Sequence, residues 1–113
     1  MEHSPSLRYY QDRVDEWIRT YGGGYFEELG MLAQLVEEVG EVARLLSRQY
    51  GQQTPKDGDQ PQRLGDELAD VLFSLICMAN GTGIDLSTEL ERNLAKKTAR
   101  DATRYQVQVT EPT

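Results

Sequence analysis

The chain has 113 residues, 38% hydrophobic and 27% charged, which is about the material of one compact domain with a thin core. With 19 Asp and Glu against 12 Lys and Arg, its formal charge of -7 argues against duplex nucleic acid or an anionic membrane as a partner, and any phosphate ligand would need metal ions or a local basic patch. Cys77 is the only cysteine and His3 the only histidine. Within one chain these exclude a disulfide, a thiolate zinc site, Ser-His or Cys-His catalysis and the Glu-x-x-His ligands of di-iron bundles, and they make a reducing cytoplasm the expected compartment.

The segment before Thr20 carries Arg8, Asp12, Arg13, Asp15 and Glu16 without an apolar core, so no signal peptide is expected, and no run is long enough to span a membrane. Leu7, Tyr10, Val14, Trp17, Ile18 and Tyr21 recur at three- and four-residue steps and predict an amphipathic helix starting near Ser4-Pro5. Gly22, Gly23 and Gly24 break it. A second helix is predicted over 27–50, with Leu29, Leu32, Leu35, Val36, Val39, Val42, Ala43 and Leu46 on its inner side. Two prolines, two glycines and two aspartates between Gly51 and Pro61 read as a flexible loop. The third helix is expected over 62–80, ending at Gly81-Thr82-Gly83, where glycine takes the left-handed cap. Asp85 caps a fourth over 86–100, with Leu86, Leu90 and Leu94 on one stripe. Past Asp101 the period is lost, so the expectation is one helical domain over 1–105 and a polar tail over 106–113, frayed or extended, in which Gln106-Val107-Gln108-Val109 is the first candidate strand.

Placed on these helices at about 100° per residue, the carboxylates separate into surface acids and misplaced ones. Glu38 lies on the edge of the second helix's apolar stripe, within about 60° of Leu35, Val42 and Leu45, with Glu41 next and Glu37 nearer the solvent-directed Arg44 and Arg48. On the third helix Asp66, Glu67 and Asp70 form one acidic quadrant, and Leu64, Leu68, Ala69, Val71, Leu72, Phe73, Leu75 and Ile76 fill the rest. A helix apolar nearly all round is a buried one, so its acids must face cations, protons or strong donors. Four or five carboxylates without histidine suit a hard, oxygen-seeking ion, magnesium or manganese. The bland alternative is a solvated face of Glu and Arg at i, i+4 spacing, and for Glu37 alone it is favoured. Trp17, Tyr21, Tyr25 and Phe26 form either a stacking wall near the glycine turn or ordinary core, the latter being commoner for aromatics at helical spacing. Met78 and Cys77 read as packing.

Glu37-Glu38-Val39-Gly40-Glu41, then Glu67-Leu68-Ala69-Asp70, resembles the two acidic motifs of the all-helical MazG-type nucleotide pyrophosphohydrolases. Asp70-Val71-Leu72-Phe73, Gly83-Ile84-Asp85-Leu86 and the Asn93-Leu94-Ala95-Lys96 step into Arg100 resemble that family's later blocks, so the likeness covers about Leu29 to Arg100. Within the family the chain is most similar to short stand-alone members. The resemblance implies an all-α, four-helix MazG-like bundle that dimerises and often pairs into tetramers, with nucleoside triphosphates as substrates, hydrolysed to monophosphate and pyrophosphate in cleansing of the nucleotide pool. By position it implies Glu38, Glu41, Glu67 and Asp70 as magnesium ligands and Glu37 as an acid that orients or deprotonates the attacking water. Asn93, Lys96 and Arg100 match residues that hold triphosphate or sugar, with Lys97 as the alternative to Lys96. Relatives often carry an aromatic after that lysine, where this chain has Lys97 and Thr98. The competing explanation of these cations is a helix C-terminus complementing its macrodipole. The rival function is a non-catalytic helical protein-interaction module, with a metal-sequestering bundle as a third reading. The thin core and the apolar third helix predict a homodimer at least.

Overall fold

Periodicity of three and four residues is realised throughout as helix in the computed structural model, which describes residues 4–50 and 63–110, with side chains to 102. The elements are α1 (Leu7–Trp17), a π-helical turn (Ile18–Gly22), α2 (Glu28–Tyr50), α3 (Leu64–Gly81) and α4 (Leu86–Thr110), with no strand among the described residues. The segment 51–61, predicted to be a flexible loop, lies outside them.

Chain ends and turns follow local chemistry, and three boundaries differ from those predicted. Helix α1 starts after Ser6, not at Ser4-Pro5, because the Ser6 hydroxyl accepts the Tyr9 N–H at 3.0 Å and satisfies one of the orphan donors of the first turn. The π turn extends α1 to Gly22, and Gly23 ends it at φ 77°, a conformation glycine adopts without a Cβ clash. Helix α3 begins at Leu64, and Gly83 at φ 75° follows its end, with the Ile84 N–H returning to the Ala79 carbonyl at 2.8 Å. Asp85 caps α4 as predicted, accepting the Ser87 N–H at 3.0 Å.

The third difference is α4, which runs on to Thr110, into the predicted tail and through the candidate strand at 106–109. No glycine or proline lies between Leu86 and Thr110. Each added residue gains a hydrogen bond, and the weak propensities of Val107 and Val109 are too small to stop propagation.

Packing departs further from the pattern. The face that α2 turns to α3 is the one with Met31, Gln34, Leu35, Glu38, Glu41, Val42 and Leu45, of which Met31 and Leu45 are buried and the others half-buried. The predicted inner stripe is largely outside: Leu29 is 76% exposed, Val36 61%, and Leu32, Val39, Ala43 and Leu46 are also exposed. Nor is α3 buried all round, since Leu68, Leu72, Phe73 and Leu75 are exposed and only Ser74, Ile76 and Ala79 are enclosed. Helix α4 turns 105° away from α3 and leans on α1. Among the described residues no single helix is long and apolar enough to cross a membrane.

A buried polar network joins these elements where the apolar core is thin. The Gln11 amide, 4% exposed, donates to Asn80 Oδ1 at 2.9 Å and to the Ile84 carbonyl at 2.8 Å, and accepts the Leu86 N–H at 2.8 Å. Asn80 Nδ2 donates back to the Gln11 carbonyl at 2.9 Å and to the Tyr25 hydroxyl at 3.1 Å. Tyr25 in turn donates to Asp15 Oδ1 at 2.6 Å, and Arg19 Nε holds Asp15 Oδ2 at 2.8 Å. No described side chain is left buried without a partner, so the network adds direction to the packing at little desolvation cost. Arg19 and then Tyr25 hold the Asp15 carboxyl below its ordinary range, and burial together with Asp15 pushes the Tyr25 hydroxyl up to about 12.

Candidate active site

Steps of three and four residues put Gln34, Glu38 and Glu41 on one face of α2, and Glu67, Asp70 and Ser74 on one face of α3. Where these helices pack, carboxylate oxygens of Glu38, Glu67 and Asp70 all lie within 4.8 Å of one another. Oxygens bound to one magnesium at about 2.1 Å are at most about 4.2 Å apart, so small side-chain rotations suffice to close the set on an ion. Glu38 and Glu67 are half-buried and Asp70 is exposed, an arrangement with an open side for further ligands. Gln34 Nε2 donates to Glu38 Oε1 at 3.0 Å, and among the described residues no lysine or arginine pairs with Glu38, Glu41, Glu67 or Asp70. Among the described residues the cluster is thus a concentration of negative charge without a cationic partner, a donor set that suits a divalent cation.

Glu67 reports that charge directly. Partial burial, and after it Asp70, Glu41, Glu38 and Asp66, raise its carboxyl above the ordinary 4.5. Because the folded value is raised, a protonated Glu67 contributes stability below 4.5 that is lost as pH climbs through the raised range. The melting temperature of metal-free protein is accordingly expected to fall over that interval, and excess magnesium to remove the fall by replacing the proton. Calorimetric scans in a chelator and in magnesium check this, and a metal-free melting temperature that rises there would contradict it.

Of the other residues marked in the sequence, Glu41 stands near enough to act on Glu67, while Glu37 is exposed and outside the converging oxygens. Asn93, Lys96 and Arg100 are exposed along α4, and among the described residues no hydrogen bond or ion pair joins them to the acids. Arg100 is held by Asp101, with Nη2 2.6 Å from Oδ2. The macrodipole explanation of these cations loses its basis, since a helix ending at Thr110 puts Lys96, Lys97 and Arg100 well before its last turn.

The acids border a cleft of about 340 Å3 whose wall includes Trp17, Tyr25, Phe26 and Phe73, with Glu38 and Asp70 at one side and Gln34, Ser74 and Cys77 along it. Trp17 meets the Phe73 ring edge-on, 5.7 Å between centroids. The aromatics near the glycine turn are thus no closed core: Phe26 is 66% exposed and Trp17 49%. Tyr21 lies outside this cleft, in a neighbouring groove with Tyr10 and Arg13. Sequence reading passed over Gln34, Phe73 and Ser74, although 31/34/38 and 70/73/74/77 continue the two acidic faces by one helical turn. Burial pushes the Cys77 thiol up, which leaves it a poor nucleophile.

A helical pair that brings the carboxylates of Glu38, Glu67 and Asp70 together beside an aromatic cleft offers the oxygen donors that a hard cation takes. The MazG nucleotide pyrophosphohydrolase domain matches residues 26–105, and the chain belongs to that family. It is similar to YpjD of Bacillus subtilis, at 38% identity over 95 residues, covering 84% of this chain and 86% of the relative. The crystal structure of YpjD superposes with a TM-score of 0.77 at 37% identity, covering 89% of this chain and all of that one. A Bacillus-conserved MazG protein, a nucleotide pyrophosphohydrolase, superposes at 0.69 and 38% identity, covering 85% of this chain and 91% of that one.

Proposed function

We propose that this chain is a magnesium-dependent enzyme, with manganese as a working substitute, that hydrolyses nucleoside triphosphates to monophosphate and pyrophosphate and so cleanses the nucleotide pool of a reducing cytoplasm. The observation that carries the reading is the convergence of Glu38, Glu67 and Asp70 within 4.8 Å, with no cationic partner among the described residues, at the edge of an aromatic cleft. Glu38, Glu41, Glu67 and Asp70 hold the metal through oxygen alone, as a hard cation requires. Bound there, magnesium supplies charge neutralisation on the phosphate oxygens and a lowered pKa for the attacking water. The cleft receives the base against Trp17, Phe26 and Phe73, which sets the phosphates toward the acids. Glu37, on the neighbouring turn face, orients or deprotonates the water. Asn93, Lys96 and Arg100 contact triphosphate or sugar, with copies of the chain associated as a homodimer or tetramer so that α4 faces the acids.

Metal clusters support attack at either the α- or the γ-phosphorus, so the bond that breaks is the decisive test. A nucleoside triphosphate turned over with magnesium in oxygen-18 water is expected to give labelled monophosphate and unlabelled pyrophosphate by phosphorus NMR. Diphosphate and orthophosphate would identify a different hydrolase. No turnover across a broad panel with magnesium and manganese would favour a non-catalytic interaction module.

A further inference from the structure

Gln34 touches both parts of the site. It is half-buried on α2, lines the aromatic cleft, and donates from Nε2 to Glu38 Oε1 at 3.0 Å. A carboxylate at neutral pH only accepts hydrogen bonds, so Glu38 forces the amide to turn its NH2 group toward the acids and leaves Oε1 for the other side. Among the described residues no donor is bonded to Oε1. Of the cleft's other polar groups, Glu38 and Asp70 belong to the acid cluster and the Tyr25 hydroxyl is spent on Asp15 and Asn80, which leaves the Ser74 hydroxyl and Gln34 Oε1 to meet a ligand. An acceptor of fixed orientation in a largely aromatic cleft selects a planar ring that turns an exocyclic amino group toward it.

Resting on the nucleotide reading above, we infer that Gln34 is a specificity-determining residue whose carbonyl oxygen, oriented by Glu38, accepts a hydrogen bond from an exocyclic amino group of the base and so favours cytosine and adenine over uracil and thymine. Cytosine and uracil give the sharpest comparison, because they share one ring and differ at C4, amino in one and carbonyl in the other. In the pose that sets C4 against Gln34, uracil would place its O4 and Oε1 together as two unsatisfied acceptors, and its N3–H reaches Oε1 only if the ring shifts along the cleft.

The test compares dCTP with dUTP in magnesium, and the binding of dCMP with that of dUMP by calorimetry, for the native chain and for Gln34→Leu and Gln34→Met. The native chain is expected to favour the cytosine nucleotide by about ten- to a hundredfold in kcat/KM and in affinity, the worth of one good base-edge contact. Both variants should bring the two nucleotides to within about threefold of each other, mainly by loss on the cytosine side. Equal use of the two by the native chain would overturn the inference. So would an equal loss on both nucleotides in the variants, accompanied by weaker manganese binding without nucleotide, because Gln34 would then serve Glu38 alone. Failure to hydrolyse any triphosphate would remove the proposed function, and the monophosphate affinities would still decide the role of Gln34.

Discussion

The Asp70→Asn variant is expected to lose about a thousandfold in kcat/KM while keeping its fold, the loss corresponding to about 4 kcal/mol of transition-state stabilisation. Asp70 is the exposed member of the three converging carboxylates, and it stands second only to burial among the causes that raise Glu67. The amide keeps the size of the side chain and removes the charge, so the variant loses a hard-metal ligand without leaving a cavity. Relief of repulsion should lower the Glu67 carboxyl toward its ordinary range and flatten the metal-free dependence of melting temperature on pH described above. Manganese binding followed by electron paramagnetic resonance should weaken in parallel with turnover. Near-normal turnover in Asp70→Asn would show the ligand assignment to be wrong, and loss of the helical circular dichroism would show that the residue serves folding.

The homodimer proposed above is expected to dissociate to monomers when Val36→Arg is combined with Leu72→Arg. The exposed residues of α2 at 29, 32, 36, 39, 43 and 46 alternate steps of three and four, and Leu68, Leu72 and Leu75 of α3 do the same. Such a 3.5-residue repeat is the seam that a facing helix fills with knobs in holes. Val36 is 61% exposed and Leu72 45% in one chain, so covering them in a dimer gains roughly 1 kcal/mol each. With each position counted twice about a two-fold axis, the loss is about 4 kcal/mol, near a thousandfold in Kd, before the cost of burying a guanidinium is added. Sedimentation equilibrium at micromolar concentration measures this directly. A native chain that sediments only as monomer would contradict the expected homodimer, and an unchanged assembly in the double variant would place the interface elsewhere.

Helix positions and the site's chemistry were open to sequence reading for different reasons. Gly22 to Gly24, Gly81 to Gly83 and Asp85 punctuate the chain by backbone preferences that act locally, and the structure puts breaks and a cap at those places. The acids of α2 and α3 betrayed themselves by sitting beside apolar stripes, which a helical wheel registers without any knowledge of packing. The π turn and the true start of α1 were not legible, since each depends on which carbonyl or hydroxyl wins a competition among neighbours a fraction of an ångström apart. The length of α4 was misjudged because loss of amphipathic period signals loss of a packing face, which is a different thing from loss of helix.

By itself the sequence determined four helices, a pair of acidic faces on the second and third, and a charge balance that makes a divalent cation the natural complement of those faces. Local rules carry that much, because capping, glycine conformations and wheel angles are properties of a few neighbouring residues. Tertiary structure decided the rest: that α2 meets α3 through 31, 34, 38, 41 and 45 and leaves 29, 32, 36, 39 and 46 outside, that Glu38, Glu67 and Asp70 converge without Glu41, and that Gln34 and Phe73 join the acids to a cleft. A helix with apolar residues on two adjacent faces offers either one to its partner, and the choice between them rests on how side chains interlock across the helix pair, which no single helix encodes.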